Sequence, residues 1–216
     1  MIWTVPNMLT IARVIAAPCV ALAFIVLERP NAHWVAFGLF SGAAVTDWID
    51  GWYARRYDAG SAFGKMLDPI ADKAMVIIAL FTLAALLGEF WWFILPATVI
   101  LLREVLVSGL REYLGDIKLD VTKLAKWKTT AQMLAIGGLF LTLGARTWIA
   151  EVDVPQVGEL AARKMKIARL GGGPLFYASL TMLWLAAALT LVTGWDYFQK
   201  GLRHIRDDAP PRREAT

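Results

Sequence analysis

The chain has 216 residues, of which 58% are hydrophobic and only 19% charged, and its mean hydropathy is +0.54. Soluble domains average about 45–50% apolar and about 25% charged residues, so the composition argues against a soluble enzyme and a disordered chain. The single cysteine, Cys19, cannot form an intramolecular disulfide, which excludes a disulfide scaffold. The net charge of +4 needs no nucleic-acid partner, because lysines and arginines also collect in the cytoplasmic loops of membrane proteins.

Six apolar stretches are each long enough for a transmembrane helix, which needs about 20 residues. We predict spans at 8–27, 34–54, 69–87, 91–113, 129–145 and 175–195. Pro69 then falls in the first turn of the third span, where proline is tolerated. The predicted fold class is an all-α polytopic membrane protein, with one six-helix domain at 1–198 and a basic tail at 199–216.

Positive charge is distributed unevenly between the two sides of these spans. The side that holds both termini carries thirteen lysines and arginines, and the opposite side carries six, which places both termini in the cytoplasm. The polar insert 146–173 departs from this pattern with five basic residues. Either the span count is wrong by one near the end, or residues 159–170 lie flat on the membrane as an amphipathic helix; we favour the second.

Four aspartates lie where span two ends and span three begins: Asp47, Asp50, Asp68 and Asp72. Each pair is spaced to share one face of a helix, and charges inside membrane spans indicate function. If helices two and three are antiparallel neighbours, the four carboxylates converge near the cytoplasmic ends and need countercharge, which Mg²⁺ supplies together with substrate phosphate. The alternative, a set of caps and loop acids, explains Asp68 before Pro69 but not the first pair.

Basic and small residues near the acids point to phosphate ligands. Gly51 and Gly64 allow a ligand or a neighbouring helix to approach the backbone closely. Arg55 suits a diphosphate, although it and Arg56 could both simply anchor the cytoplasmic end; we favour phosphate binding for Arg55 and anchoring for Arg56.

A second basic group lies in spans four and five. Arg103 lies deep inside span four, where a free charge is costly. Arg111 lies on the same broad face of that helix. We predict that Arg103, Arg111 and Lys128 bind a phosphate, although ion pairs with neighbouring glutamates would also explain them. Lys126 fits both interpretations equally well.

The pattern of acids and glycines resembles the signature of the CDP-alcohol phosphotransferase family. The eight fixed positions, all matched, are Asp47, Asp50, Gly51, Ala54, Arg55, Gly64, Asp68 and Asp72. Segments 6–13, 103–112 and 126–132 are similar to members that transfer the phosphatidyl group of CDP-diacylglycerol to sn-glycerol 3-phosphate and release CMP. The resemblance runs to about residue 132, so it does not cover the polar insert.

The resemblance implies a six-helix protein of the cell (inner) membrane, usually a homodimer, that uses two divalent cations, Mg²⁺ or Mn²⁺. Its metal ligands would be Asp47, Asp50, Asp68 and Asp72, and Asp72 would also take the proton of the attacking hydroxyl. The CDP-diacylglycerol site would comprise Asn7, Thr10, Asp50, Gly51, Arg55 and Gly64. The acceptor phosphate would contact Arg103, Arg111, Lys126 and Lys128.

Three questions stay open on the sequence alone. Asn7, Thr10 and Arg13 form one polar stripe on helix one, which either lines the nucleotide pocket, as we favour, or packs against polar neighbours. The same chemistry could serve another acceptor, such as inositol phosphate, serine or a lipid, and inositol phosphate would need the same cations. A cation transporter could use the aspartates as an ion site, but the acids crowd one end and no broken helix pair marks a midplane path.

Overall fold

The computed structural model describes residues 4–29, 31–57, 62–114, 123–150 and 173–207. Within these ranges the six helices are α1 (Val5–Val26), α2 (Asn31–Tyr57), α3 (Ala62–Leu87), α4 (Trp91–Leu114), α5 (Lys123–Ala150) and α6 (Pro174–Asp207). The predicted all-α fold class is confirmed, with a helix at each predicted span. The surface helix expected at 159–170 and the tail after residue 207 lie outside the described residues.

Four helices are long and apolar enough to cross a membrane by length and composition. These stretches are Asn7–Val26, Met66–Leu87, Trp91–Tyr113 and Pro174–Arg203. Helices α2 and α5 have 27 and 28 residues, which at 1.5 Å per residue also exceeds the ~30 Å hydrocarbon layer. Their lower hydropathy reflects the acids of α2 and the lysines of α5, the residue types that the sequence analysis assigns to a functional site.

Helix α3 begins earlier than the apolar pattern predicted. It starts at Ala62, so Pro69 lies inside the helix and the prediction that Pro69 occupies the first turn is wrong. The prediction placed the start of the span after the charged residues Lys65 and Asp68, whereas the helix continues through both of them. The early start places Asp68 and Asp72 on one continuous helix.

The core lies where the six helices pack together. Helix α1 packs against α2 and α3, α5 packs against α2 and α6, and α4 packs mainly against α6. Fully buried aromatic residues in this core are Phe40, Phe93, Phe140 and Phe176. Large apolar side chains such as Ile25, Phe81 and Trp91 are more than 70% exposed, as expected of a surface that faces lipid.

Helix α1 lies between α2 and α3, which touch each other at only a few residues. Direct pairing of helices two and three, the condition considered in the sequence analysis for convergence of the aspartates, is thus only slight. The first three turns of α1 instead carry polar side chains to both neighbours, as the contacts of Thr10 and Arg13 show. The starts of α1, α3 and α5 and the ends of α2, α4 and α6 lie at this end of the bundle, which we call the site end.

Candidate active site

Three of the predicted aspartates meet around one arginine of α1. Nη1 of Arg13 donates to Asp47, while Nη2 lies 3.1 Å from Asp50 Oδ2 and 3.4 Å from Asp68 Oδ1. The Thr10 hydroxyl donates to Asp68 Oδ1 at 2.6 Å and lies 3.3 Å from Asp50 Oδ2. The side chains of Asp47 and Asp68 are about half exposed, whereas that of Asp50 is only 6% exposed. We call Asp47, Asp50, Asp68 and Asp72 the acid cluster.

Asp72 connects this cluster to the basic residues of the neighbouring helices. It follows Asp68 by one turn of α3. Its carboxylate interacts electrostatically with Asp47 and Arg13, and also with Glu104 of α4 and Lys128 of α5. The fourth predicted aspartate therefore lies within electrostatic reach of both predicted phosphate sites.

The acid cluster has the donor chemistry of a divalent-cation site. Carboxylate oxygens are the ligands that Mg²⁺ and Mn²⁺ prefer, and three of the four aspartates bond to a single guanidinium. Oδ1 of Asp50 is buried without a hydrogen-bond partner among the described residues, a costly state for a carboxylate oxygen that a cation would relieve. In the described ranges no three acidic, histidine or cysteine side chains form a ready-made metal site. Arg13 takes the central place between the acids instead.

The polar stripe on α1 faces the acid cluster. Asn7, Thr10 and Arg13 are at most 4% exposed, and the last two bond directly to the aspartates. The stripe thus packs against polar neighbours that themselves belong to the candidate site. The sequence analysis favoured a stripe that lines the nucleotide pocket and included Arg13 in it, but did not identify the aspartates as partners of Arg13; a buried arginine that needs carboxylate partners was the available signal.

The remaining predicted nucleotide residues lie at the same end of the bundle. Gly51 follows Asp50 directly on α2, and Gly64 is buried in the first turn of α3. Arg55 belongs to α2, and Lys126, predicted for the acceptor site, belongs to α5; the side chains of both lie outside the described part of the structure. Their roles stay predictions.

Glu104 organises the basic group of α4 and α5. Lys128 forms an ion pair with Glu104 Oε1, and Nη1 of Arg103 lies 3.4 Å from the same oxygen. The side chains of Lys128 and Glu104 are only 7% and 14% exposed. Nζ of Lys73 donates to Ser108 Oγ at 2.6 Å, and that hydroxyl donates to the Glu104 carbonyl at 2.5 Å. Ion pairing, the alternative weighed for Arg103 and Lys128, is thus present, and Glu104 is a site residue that the sequence analysis did not single out.

Arg111 and Arg103 both lie against α6. Nε of Arg111 donates to the Tyr197 hydroxyl at 3.2 Å, and its guanidinium carbon lies 5.5 Å from the centre of that ring. Gly194 makes room for Arg103, because a Cβ there would come within 2.9 Å of Arg103 Cγ. Arg103 interacts electrostatically with Arg111 and with Lys128, so these three cations form one positive group.

Comparison with known proteins extends the match well beyond the signature. The sequence profile of the family described as CDP-alcohol phosphatidyltransferase matches residues 3–195. A CDP-diacylglycerol–glycerol-3-phosphate 3-phosphatidyltransferase of Cereibacter sphaeroides is 48% identical, over 95% of this chain and 99% of its own length. The protein of that name from Rickettsia bellii is 39% identical, over 90% of this chain and 93% of its own. The one from Haemophilus influenzae is 41% identical, over 63% and 75% respectively.

These matches pass residue 132, where the resemblance seen in the sequence ended, and they include the helices that carry the acid cluster and the basic group. The signature residues on α2 and α3, the length of the match and the six-helix architecture agree. The chain belongs to the CDP-alcohol phosphatidyltransferase family.

Proposed function

We propose that this chain is a CDP-diacylglycerol–glycerol-3-phosphate 3-phosphatidyltransferase, which makes phosphatidylglycerophosphate and CMP. One observation carries the proposal: Asp72 lies within reach of both the acid cluster and the basic group. Residues suited to two phosphate-bearing substrates therefore meet at one end of the bundle, with a carboxylate between them. The names of the relatives support this choice among the activities of the family.

The acid cluster is the proposed site for the diphosphate of CDP-diacylglycerol. Carboxylates and a diphosphate repel each other, so the complex needs cations, and enzymes of this family use divalent ones. We propose two ions, Mg²⁺ or Mn²⁺, held by Asp47, Asp50, Asp68 and Asp72. When bound, such ions neutralise the charge that develops on the diphosphate and on the departing CMP. Asn7, Thr10, Gly51, Arg55 and Gly64 complete the proposed nucleotide site.

The reaction is a displacement at phosphorus. The acceptor hydroxyl oxygen forms a bond to the phosphatidyl phosphorus, and the bond from this phosphorus to the CMP oxygen breaks, so that its electron pair leaves with CMP. Asp72 takes the hydroxyl proton. Its partly buried position next to Lys128 and the acid cluster suits a base that must reach the acceptor and the phosphorus together.

The positive group of Arg103, Arg111 and Lys128 is the proposed site for the phosphate of the acceptor, together with Lys126. Nε of Arg103 is buried and has no hydrogen-bond partner among the described residues, so its N–H could donate to a phosphate oxygen. Glu104 fixes Lys128 and Arg103 through a shared oxygen. Uncharged glycerol would bring no anion to these cations and should be a poor acceptor.

The proposal includes the placement of the protein. Glycerol 3-phosphate and CMP are water-soluble cytoplasmic compounds, so the site end, with both termini, faces the cytoplasm from the inner membrane. The excess of lysines and arginines at this end supports the orientation. We also propose a homodimer, on the basis of family resemblance.

An acceptor screen tests the proposal. Purified protein is given CDP-diacylglycerol, Mg²⁺ or Mn²⁺, and in separate reactions glycerol 3-phosphate, glycerol, inositol phosphate or serine, and CMP release is measured. We expect metal-dependent CMP release with glycerol 3-phosphate. Asp68→Asn should abolish it, because the cluster loses one anion, whereas Glu28→Gln, an equal loss of charge at the opposite end, should not. CMP release that is fastest with another acceptor would contradict the proposal.

A further inference from the structure

We propose that Arg13 is the built-in cation of the acid cluster and that it competes with divalent cations for Asp50 and Asp68. The inference rests on the proposed function in one respect, since it takes the acid cluster to be the divalent-cation site. It assigns to α1 a part in cation binding, in addition to the aspartates of α2 and α3.

The geometry places one nitrogen between two of the proposed metal ligands. Oδ2 of Asp50 and Oδ1 of Asp68 belong to different helices, yet both face Nη2 of Arg13, at 3.1 Å and 3.4 Å. The Thr10 hydroxyl bonds to these same two oxygens. Two cations cannot share this place, because like charges at contact distance repel strongly where water is scarce. A metal ion that took both of these oxygens as ligands would therefore have to displace Nη2.

Arg13 is held in a way that permits this displacement. Its bonds run through the two terminal nitrogens to the three acids and Thr10, while Nε is buried with no partner among the described residues. Nη1 pairs with Asp47, whose side chain is 52% exposed. Nη2 can thus release Asp50 and Asp68 while Nη1 keeps its bond to Asp47.

The arrangement gives Arg13 two consequences that can be measured. Without metal, the guanidinium offsets part of the repulsion among the aspartates and ties α1 to α2 and α3. With metal, the same charge opposes binding. Loss of Arg13 should therefore destabilise the metal-free protein and strengthen metal binding, a combination that a purely structural cross-link would not produce.

Manganese binding to the purified full-length protein tests the inference. Free Mn²⁺ is followed by electron paramagnetic resonance during titration of the parent, Arg13→Gln and Arg13→Lys, and each protein is melted with and without Mn²⁺. We expect Arg13→Gln to bind Mn²⁺ about tenfold more tightly, which is 1.4 kcal/mol, to melt lower without metal, and to gain more from Mn²⁺. Arg13→Lys has one charged nitrogen in place of the forked guanidinium, so its Mn²⁺ affinity should lie between those of the parent and Arg13→Gln.

The control is Arg29→Gln, which removes a positive charge at the end opposite the site and should leave Mn²⁺ affinity unchanged. Equal or weaker binding by Arg13→Gln would overturn the inference; if that variant does not fold, unchanged binding by Arg13→Lys would do so. A parent protein that releases CMP with glycerol 3-phosphate would in that case keep the proposed function intact. A parent that neither binds Mn²⁺ nor releases CMP, with variants that bind none, would overturn both.

Discussion

The ion pair between Lys128 and Glu104 gives the acceptor site its sharpest test, because it separates structural pairing from phosphate binding. Replacing Lys128 by methionine keeps an unbranched apolar side chain as far as Cε but removes the charged amino group. Breaking a buried pair from one side costs about 3–5 kcal/mol, and this pair is more than four-fifths buried. Because Arg103 remains 3.4 Å from the same Glu104 oxygen, we expect the lower end of that range, about 3 kcal/mol.

The double variant Lys128→Met with Glu104→Gln removes the stranded charge as well. It should recover most of the stability lost in Lys128→Met, because no uncompensated ion remains. If Lys128 also contacts the acceptor phosphate, that charge-assisted bond is worth roughly 1.5–3 kcal/mol. The KM for glycerol 3-phosphate should then stay raised about 10- to 100-fold, while the KM for CDP-diacylglycerol changes little.

The assay combines thermal melting in detergent with initial rates in which both substrates are varied. The single variant Glu104→Gln removes the carboxylate that orients Lys128 and Arg103. It therefore shows how far the loss of that orientation alone raises the acceptor KM. A double variant with the parental KM for glycerol 3-phosphate would refute the reasoning and return Lys128 to a purely structural role.

Two further substitutions probe the α6 side of the positive group. Gly194→Ala should raise the acceptor KM about threefold to tenfold by displacing Arg103. The control is Gly38→Ala, whose added Cβ has no neighbour within 4 Å and should leave the kinetics unchanged. Equal effects of the two variants would mean that Arg103 is not in the site. Arg111→Ala should raise the same KM about 10- to 100-fold, and Tyr197→Phe, which loses only the hydroxyl acceptor, should have a smaller effect. A selective loss of CDP-diacylglycerol affinity in Arg111→Ala would move that arginine to the nucleotide side.

The helices could be predicted from the sequence because a bilayer of fixed thickness requires apolar stretches of a definite length. All six predicted spans fall within or at the edge of observed helices, and the largest differences lie where a helix continues past charged residues that bound its apolar stretch. Helix α5 begins at Lys123 rather than 129, and α6 runs on to Asp207 rather than ending at 195. Hydropathy does not detect such extensions, since lysine and arginine are polar but are also good helix formers.

The residue types of the site could be predicted, but their partners could not. Spacing along one helix puts Asp68 and Asp72 on one face, whereas the packing of α1 between α2 and α3 is a tertiary property. Arg13 therefore entered the sequence analysis only as part of a stripe, and the structure shows it bonded to three aspartates. Glu104 was likewise weighed only as a neighbour of the cations, although it holds two of them through one oxygen.

The most direct test of the proposed activity is the fate of labelled acceptor. Protein in lipid vesicles that contain CDP-diacylglycerol is given radiolabelled sn-glycerol 3-phosphate and Mg²⁺ or Mn²⁺, and label in extracted lipid is compared with CMP released. We predict one labelled phosphatidylglycerophosphate for each CMP, with neither product formed when the divalent cation is chelated. CMP released without label in the lipid, or label transferred equally well without a divalent cation, would contradict the account.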